Sequence, residues 1–202
     1  MATNASNEKL SDNYKHQTTI LKNLEKLDTF ADRITYADKH LKRLSSGSSR
    51  IVFVLPDNTV LKLAKNKRGL KQNEAESNSK MKSKFLNKIL AVAKNFAWIN
   101  TRFLDKIKEK DFEKMTGINF KDFGEAIKYG LQDVSDNDKI KPKNFDKVCK
   151  SEIYQELERL GKRFKLMPGD IARISSWGTI NGIPILIDAG LTKEIFDKYY
   201  KD

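Results

Sequence analysis

The chain has 202 residues, 39% hydrophobic and 33% charged, a balance that suits one compact domain or a small two-lobed one rather than a disordered chain. One cysteine, Cys149, and two histidines, His16 and His40, exclude an internal disulfide, a His/Cys zinc site and thiol–imidazole catalysis. No apolar run approaches the ~20 residues that span a bilayer, and the opening "MATNASNEKLSDNYKHQ" lacks the apolar stretch of a signal peptide, so a soluble, cytoplasmic protein with no membrane partner is expected.

Residues 1 to about 12 are polar and read as frayed. From Tyr14 to Leu44 the apolar residues Ile20, Leu21, Leu24, Leu27, Phe30 and Ile34 recur at helical spacing and predict one or two amphipathic helices, an N-terminal extension over residues 1–40. The period then changes. "RIVFVL" and "TVLKLA" are short β-branched runs separated by Pro56, Asp57 and Asn58, which predicts a β-hairpin preceded by the Gly/Ser loop "SSGSSR". After Gly69 the stretch "LKQNEAESNSKMKSKFLNKIL" is polar and reads as helical, and "AVAKNFAWINTRFL" offers one or two further strands.

The remainder is mostly helical. Asn119 caps a run with Phe120, Phe123, Ile127 and Leu131 on one face, and Asn144 opens a similar run with Phe145, Val148 and Leu160. Between them "QDVSDNDKIKPKN" reads as a charged loop. "GTINGIPILIDAG" predicts a hairpin turning at Asn181-Gly182, and "TKEIFDKYY" a closing helix. The parts divide into the extension, a β-rich region over residues 41–100 and a mostly helical region over 101–202.

A net charge of +12 calls for considering a polyanionic partner. Yet the cations are 31 Lys against 8 Arg, scattered along the chain and often beside acids. Sequence readers lean on Arg, and single-strand binders place exposed aromatics among their cations. A lysine-rich solvated surface is the favoured reading, with nucleic-acid binding kept as an alternative.

The order of parts, a glycine-containing loop, a hairpin, a strand ending in "VLKLA", an acid-bearing helix, a helical half and two late aspartates, resembles the protein-kinase-like fold. In detail, "SSGSSRIVFVLPDNTVLKLAKNKRGLKQNEAE", "MPGDIARISSWG" and "PILIDAGLTKEIFDKYY" resemble the small kinase-like proteins of tailed bacteriophages, over roughly residues 41–202. The resemblance implies an α+β, minimal two-lobed kinase-like fold, phage origin and the host-cell cytoplasm. It also implies ATP and Mg²⁺ as cofactors.

Phosphoryl transfer needs charge neutralisation and positioning more than covalent help. By this resemblance Lys62 pairs with the nucleotide's phosphates, since strand alternation sets Val60, Lys62 and Ala64 on one face, while Val60 and Val52 flank an adenine. A glutamate on the following helix holds the lysine. Glu74 and Glu76 are the candidates, and position leans to Glu76. The loop "SSGSSR" takes the place of the phosphate-covering loop but keeps one glycine, Gly47, so it reads equally as a plain hairpin loop, with Arg50 a further phosphate contact. Asp188, in "DAG" where the family has "DFG", is the metal ligand; Asp170 is the catalytic-loop aspartate that orients or deprotonates the acceptor.

Departures are present as well. Ser175 occupies the family's second metal-ligand position, normally Asn, and only 12 residues follow Gly190, too few for an activation segment or a peptide groove. Arg173 pairs with Asp170 or with a phosphate, and Trp177 either closes the site or packs in the core. Three readings follow: a Mg²⁺-dependent phosphotransferase, a pseudokinase-like binding module acting in phage assembly or on a host protein, and a basic nucleic-acid binder.

Overall fold

The computed structural model describes residues 2–131 and 140–201, with side chains from Asp12 onward, so the first part of the expected charged loop, residues 132–139, lies outside the described residues. The fold is mixed α/β, with an antiparallel sheet and several helices. None of its helices is long and apolar enough to cross a membrane. The chain groups into two compact units, one taking the chain up to Glu74 together with Lys88–Phe103, the other Ala75–Asn87 and the chain from Leu104 onward.

In the first unit, helices α1 (Ala2–Lys26) and α2 (Phe30–His40) precede strands β1 (Lys42–Ser46), β2 (Arg50–Val54) and β3 (Thr59–Ala64). Helix α3 (Lys67–Glu76) follows, and β4 (Ile89–Val92) and β5 (Trp98–Arg102) complete a five-stranded antiparallel sheet in the order β1-β2-β3-β5-β4. The helical spacing read from Tyr14 onward resolves into two helices because Thr29 ends one run and starts the next: its hydroxyl accepts from the Asp32 amide at 3.1 Å. The buried Arg33 guanidinium donates to the Leu24 carbonyl, satisfying one of the orphan acceptors at the end of α1. Ile20, Leu24 and Ala37 share one core with Ile51, Phe53, Leu61, Leu63 and Trp98. The two helices therefore bury one face of the sheet.

Four expectations need correction. Helix α1 starts at Ala2, so residues 2–12 are helical rather than frayed. Low hydrophobicity argued against burial there, but Ala, Glu, Lys and Leu all favour helix locally. Strand β1 was not read at all, because its five residues are exposed and show no alternation. The helix expected through Leu90 stops at Glu76. Beyond it side chains compete for the backbone, the Lys80 amide donating to the Asn78 carboxamide at 3.0 Å and the Phe85 amide to the Ser83 hydroxyl at 3.2 Å. Finally, the run from Asn144 is two helices, because Ser151 begins a new one; Asn144 itself donates to Asp122 at 2.8 Å.

The second unit holds β6 (Asp105–Lys106), α4 (Glu109–Thr116), α5 (Phe120–Leu131), α6 (Phe145–Val148), α7 (Glu152–Phe164), the single turn α8 (Pro168–Ile171), the hairpin β7 (Trp177–Ile180) and β8 (Ile183–Leu186), and α9 (Lys193–Tyr199). Its hairpin turns at Asn181-Gly182, whose φ values of 51° and 73° are the left-handed pair that a two-residue turn requires. Asn119 accepts from the Lys121 amide at the head of α5, as expected, and Phe120, Phe123 and Ile127 pack into a core with Phe112, Leu157 and Trp177. Met81, Phe85 and Leu86 from the irregular segment join that core.

Candidate functional site

Register fixes what lies beside Lys62. On the sheet it faces Val52 across one neighbour and Ile99 across the other, while Val60 faces Val54 and Thr101. Strand alternation places these residues on the face opposite Leu61 and Leu63, which belong to the helix-covered core. Lys62 is only 3% exposed, a charged amine among β-branched side chains. Such a group needs an opposite charge and hydrogen bonds to stay ionised.

The two glutamates considered as its partner are sorted by exposure. Glu74 is turned to solvent and bonded to Lys71 at 2.7 Å. Glu76, at 6% exposure, is the one buried carboxylate among the described residues, as Lys62 is the one buried lysine. The end of the same sheet is tightly organised around α3. Asn73 donates to the carbonyls of Lys62 and Phe96, and accepts from the Arg50 guanidinium at 3.2 Å. Arg50 is thus buried against α3.

The Gly/Ser loop is a short β1–β2 connection. The Gly47 amide donates to the Arg50 carbonyl at 2.9 Å, Lys65 donates to the Gly47 carbonyl at 3.0 Å and Asn66 to the Ser48 carbonyl at 3.0 Å. Two side chains from the β3–α3 junction therefore hold this loop down. Gly47 itself is exposed and stands at a negative φ, so its lack of a side chain is not demanded by the backbone.

The two aspartates stand on neighbouring loops of the second unit. The Met167 amide donates to the Leu191 carbonyl at 3.0 Å, and the Ile187 amide to the Ser176 carbonyl at 2.7 Å. The same two bonds therefore bracket the segment 168–175, with Asp170, and the segment 188–190, with Asp188. Pro168 at the first position of α8 starts the turn that sets Asp170, whose carboxylate is ion-paired with Arg173. One oxygen of Asp188 accepts from the Gly190 amide at 3.1 Å. Ser175 is exposed in a 3-10 turn over Ile174–Ser176.

Trp177 belongs to the core. It is fully buried, donates from its indole nitrogen to the Ile171 carbonyl at 2.8 Å and stacks edge-on against Phe112 and Phe123. By tying Ile171 it anchors the loop of Asp170 to the aromatic core. Nothing in the composition or spacing around Thr101 marks it out. Its hydroxyl is buried without a hydrogen-bond partner beside Val60, and only the β3–β5 register reveals that position. Among the described residues no three His, Cys, Asp or Glu side chains cluster. Compared with known proteins, the chain matches no family model and no curated protein sequence.

Proposed function

We propose that the chain is a nucleotide-binding, Mg²⁺-dependent phosphotransferase of minimal protein-kinase-like fold, using Lys62, Glu76, Asp170 and Asp188. The observation that carries the reading is the burial of Lys62 on a β-branched sheet face, since a lysine so placed has a stabilising role only when an anion meets it. In this reading Val52 and Val60 hold the base, Lys62 meets its phosphates and Glu76 orients Lys62. Asp188 suits a magnesium ion that would take phosphate oxygens and water as its other ligands, with Asp170 on the adjacent loop serving the acceptor. When held there, such an ion would supply charge neutralisation to the transferred phosphoryl group. Asp170 accepts the proton of the attacking hydroxyl, and Arg173 beside it fixes its orientation.

The test is a thermal-shift titration of wild type, Lys62→Ala and Asp188→Ala with ATP, with and without Mg²⁺. At ~100 times its dissociation constant a ligand stabilises the native state by about 2.7 kcal/mol, a shift of roughly 5–10 °C for a chain of this size. A magnesium-dependent shift in wild type that both variants lose is expected. No shift in any of the three sinks the reading.

A second reading has its own support: Asp170 is already ion-paired with Arg173, and Ser175 offers an uncharged oxygen where the family places Asn. This reading makes the chain a kinase-like module that binds a nucleotide and a phage or host protein without turnover. ATP binding unchanged by Asp170→Ala, with no transfer of labelled phosphate to the protein or an added acceptor, would select it.

A further inference from the structure

The second unit contains a cavity of about 600 Å³ that none of the residues above explains. Its walls are the C-terminal ends of α5 and α7, the segment leading into α8, and α9. That volume falls within the range of small-molecule sites, roughly 300–1,000 Å³. Its lining is of two kinds. Leu131, Leu166, Met167 and Phe196 supply an apolar floor, and Lys162, Lys165, Lys193 and Lys201 supply four ammonium groups against one carboxylate, Asp197.

Each lysine has an ordinary local role. Lys193 and Lys201 lie one helical turn either side of Asp197 and bond it at 2.6 and 3.0 Å; together they hold its carboxyl below the usual range. Lys162 pairs with Glu158 at 3.0 Å, outside the cavity lining, and both it and Lys165 suit the negative end of the α7 dipole. Those roles account for the charges one at a time. They do not account for four of them converging on an open apolar floor, where the lining keeps a net charge of +3 when its single acid is counted. Among the described residues Lys165, at a left-handed φ of 52° that turns the chain past α7, has no ion-pair partner.

The floor is fixed by close packing. A β-carbon on Gly161 would lie 2.5 Å from the Leu131 side chain, so Leu131 packs directly on the α7 backbone at this glycine. We infer that this cavity is a binding site for a small amphipathic anion, an aromatic or aliphatic body carrying a carboxylate, sulfonate or phosphate. The body sits on Leu131 and Phe196 and the anionic group meets Lys165 and Lys193. The two loops of Asp170 and Asp188 open directly from its walls, through Met167 and Leu191. The inference stands independently of the nucleotide reading.

The test uses the full chain and anilinonaphthalene sulfonate, whose fluorescence rises in apolar surroundings, at ~0.15 M salt so that long-range attraction is screened. Saturable one-site enhancement is expected in wild type, with affinity reduced about tenfold in Lys165→Glu/Lys193→Glu. Lys80→Glu/Lys82→Glu, the same charge change on exposed positions elsewhere in the unit, should leave it unchanged. Lys165→Ala, at an exposed position, should give a smaller loss of the same kind without unfolding the protein. Decanoate should displace the dye, and inorganic phosphate at equal concentration should not. Non-saturable enhancement, equal losses in the two charge-reversed variants, or displacement by phosphate alone would overturn the assignment. Loss of the ATP response in Lys62→Ala or Asp188→Ala, with dye binding intact, would separate this site from the proposed nucleotide site.

Discussion

Lys62 and Glu76 pose one residue-scale question: what a buried charge costs when its opposite is removed. Among the described residues Lys62 is the one buried lysine and Glu76 the one buried carboxylate, and in the proposed pairing neutralising Glu76 removes the charge that balances the buried ammonium. Removing one partner of a buried pair typically costs about 3–5 kcal/mol, whereas an exposed acid on a helix is worth under ~1 kcal/mol. Glu76→Gln is therefore expected to lower stability by about 3 kcal/mol, and Glu74→Gln, at a half-exposed acid that pairs with Lys71, by less than ~1 kcal/mol. Urea denaturation of the two variants at neutral pH checks this. Equal effects would remove Glu76 from its proposed role, and the proposed positioning of Lys62 would need another anion.

Elements meet closely at the start of α3. A β-carbon on Gly69 would stand 2.2 Å from the Ser49 carbonyl oxygen and 3.0 Å from the Ala64 backbone, so only glycine lets α3 pack against the Gly/Ser loop and the end of β3. In an unobstructed helix Gly→Ala gains about 1 kcal/mol; here the sign should reverse, and Gly69→Ala should lose at least ~2 kcal/mol by thermal or urea unfolding. A stabilised Gly69→Ala protein would mean that this junction is looser than its geometry implies. The same junction marks the limit of what could be read from the sequence. Both hairpins were legible because their turn chemistry is local: Pro56-Asp57-Asn58, with Asp57 accepting from Thr59, and Asn181-Gly182. The end of α3 was not, because Met81 and Phe85 keep a helical spacing while packing into the core of their own, second unit, and no local signal distinguishes the two outcomes. The aspartates were visible as residues, but their adjacency depends on bonds between segments 24 and 11 positions apart, Met167 to Leu191 and Ile187 to Ser176. Thr101 needed its cross-strand neighbour, and the cavity of α5, α7 and α9 needed three helix ends brought together.

At the scale of the whole molecule the charge of +12 is the property most open to misreading. Many lysines sit beside acids, as in Lys71–Glu74, Lys84–Glu152, Lys141–Asp146 and Lys162–Glu158, which disperses the positive potential over the surface. A dispersed cationic surface attracts any polyanion, but it does so by counterion release and loses its hold steeply with salt. Duplex DNA should therefore bind at low ionic strength without sequence preference, and a protein touching six to ten phosphates should lose roughly a thousandfold or more in affinity between about 0.05 M and 0.2 M salt. The proposed site, with Lys62 on the nucleotide's phosphates and Asp188 on the metal, should respond differently, because buried pairs are screened far less than exposed ones. The ATP-induced thermal shift should survive the same change of salt with most of its size. Fluorescence anisotropy of labelled DNA and the thermal-shift titration, run side by side across that range, measure both. DNA affinity that persists at 0.2 M salt while the ATP shift disappears would reverse the assignment and make the basic surface, rather than Lys62 and the two aspartates, the seat of function.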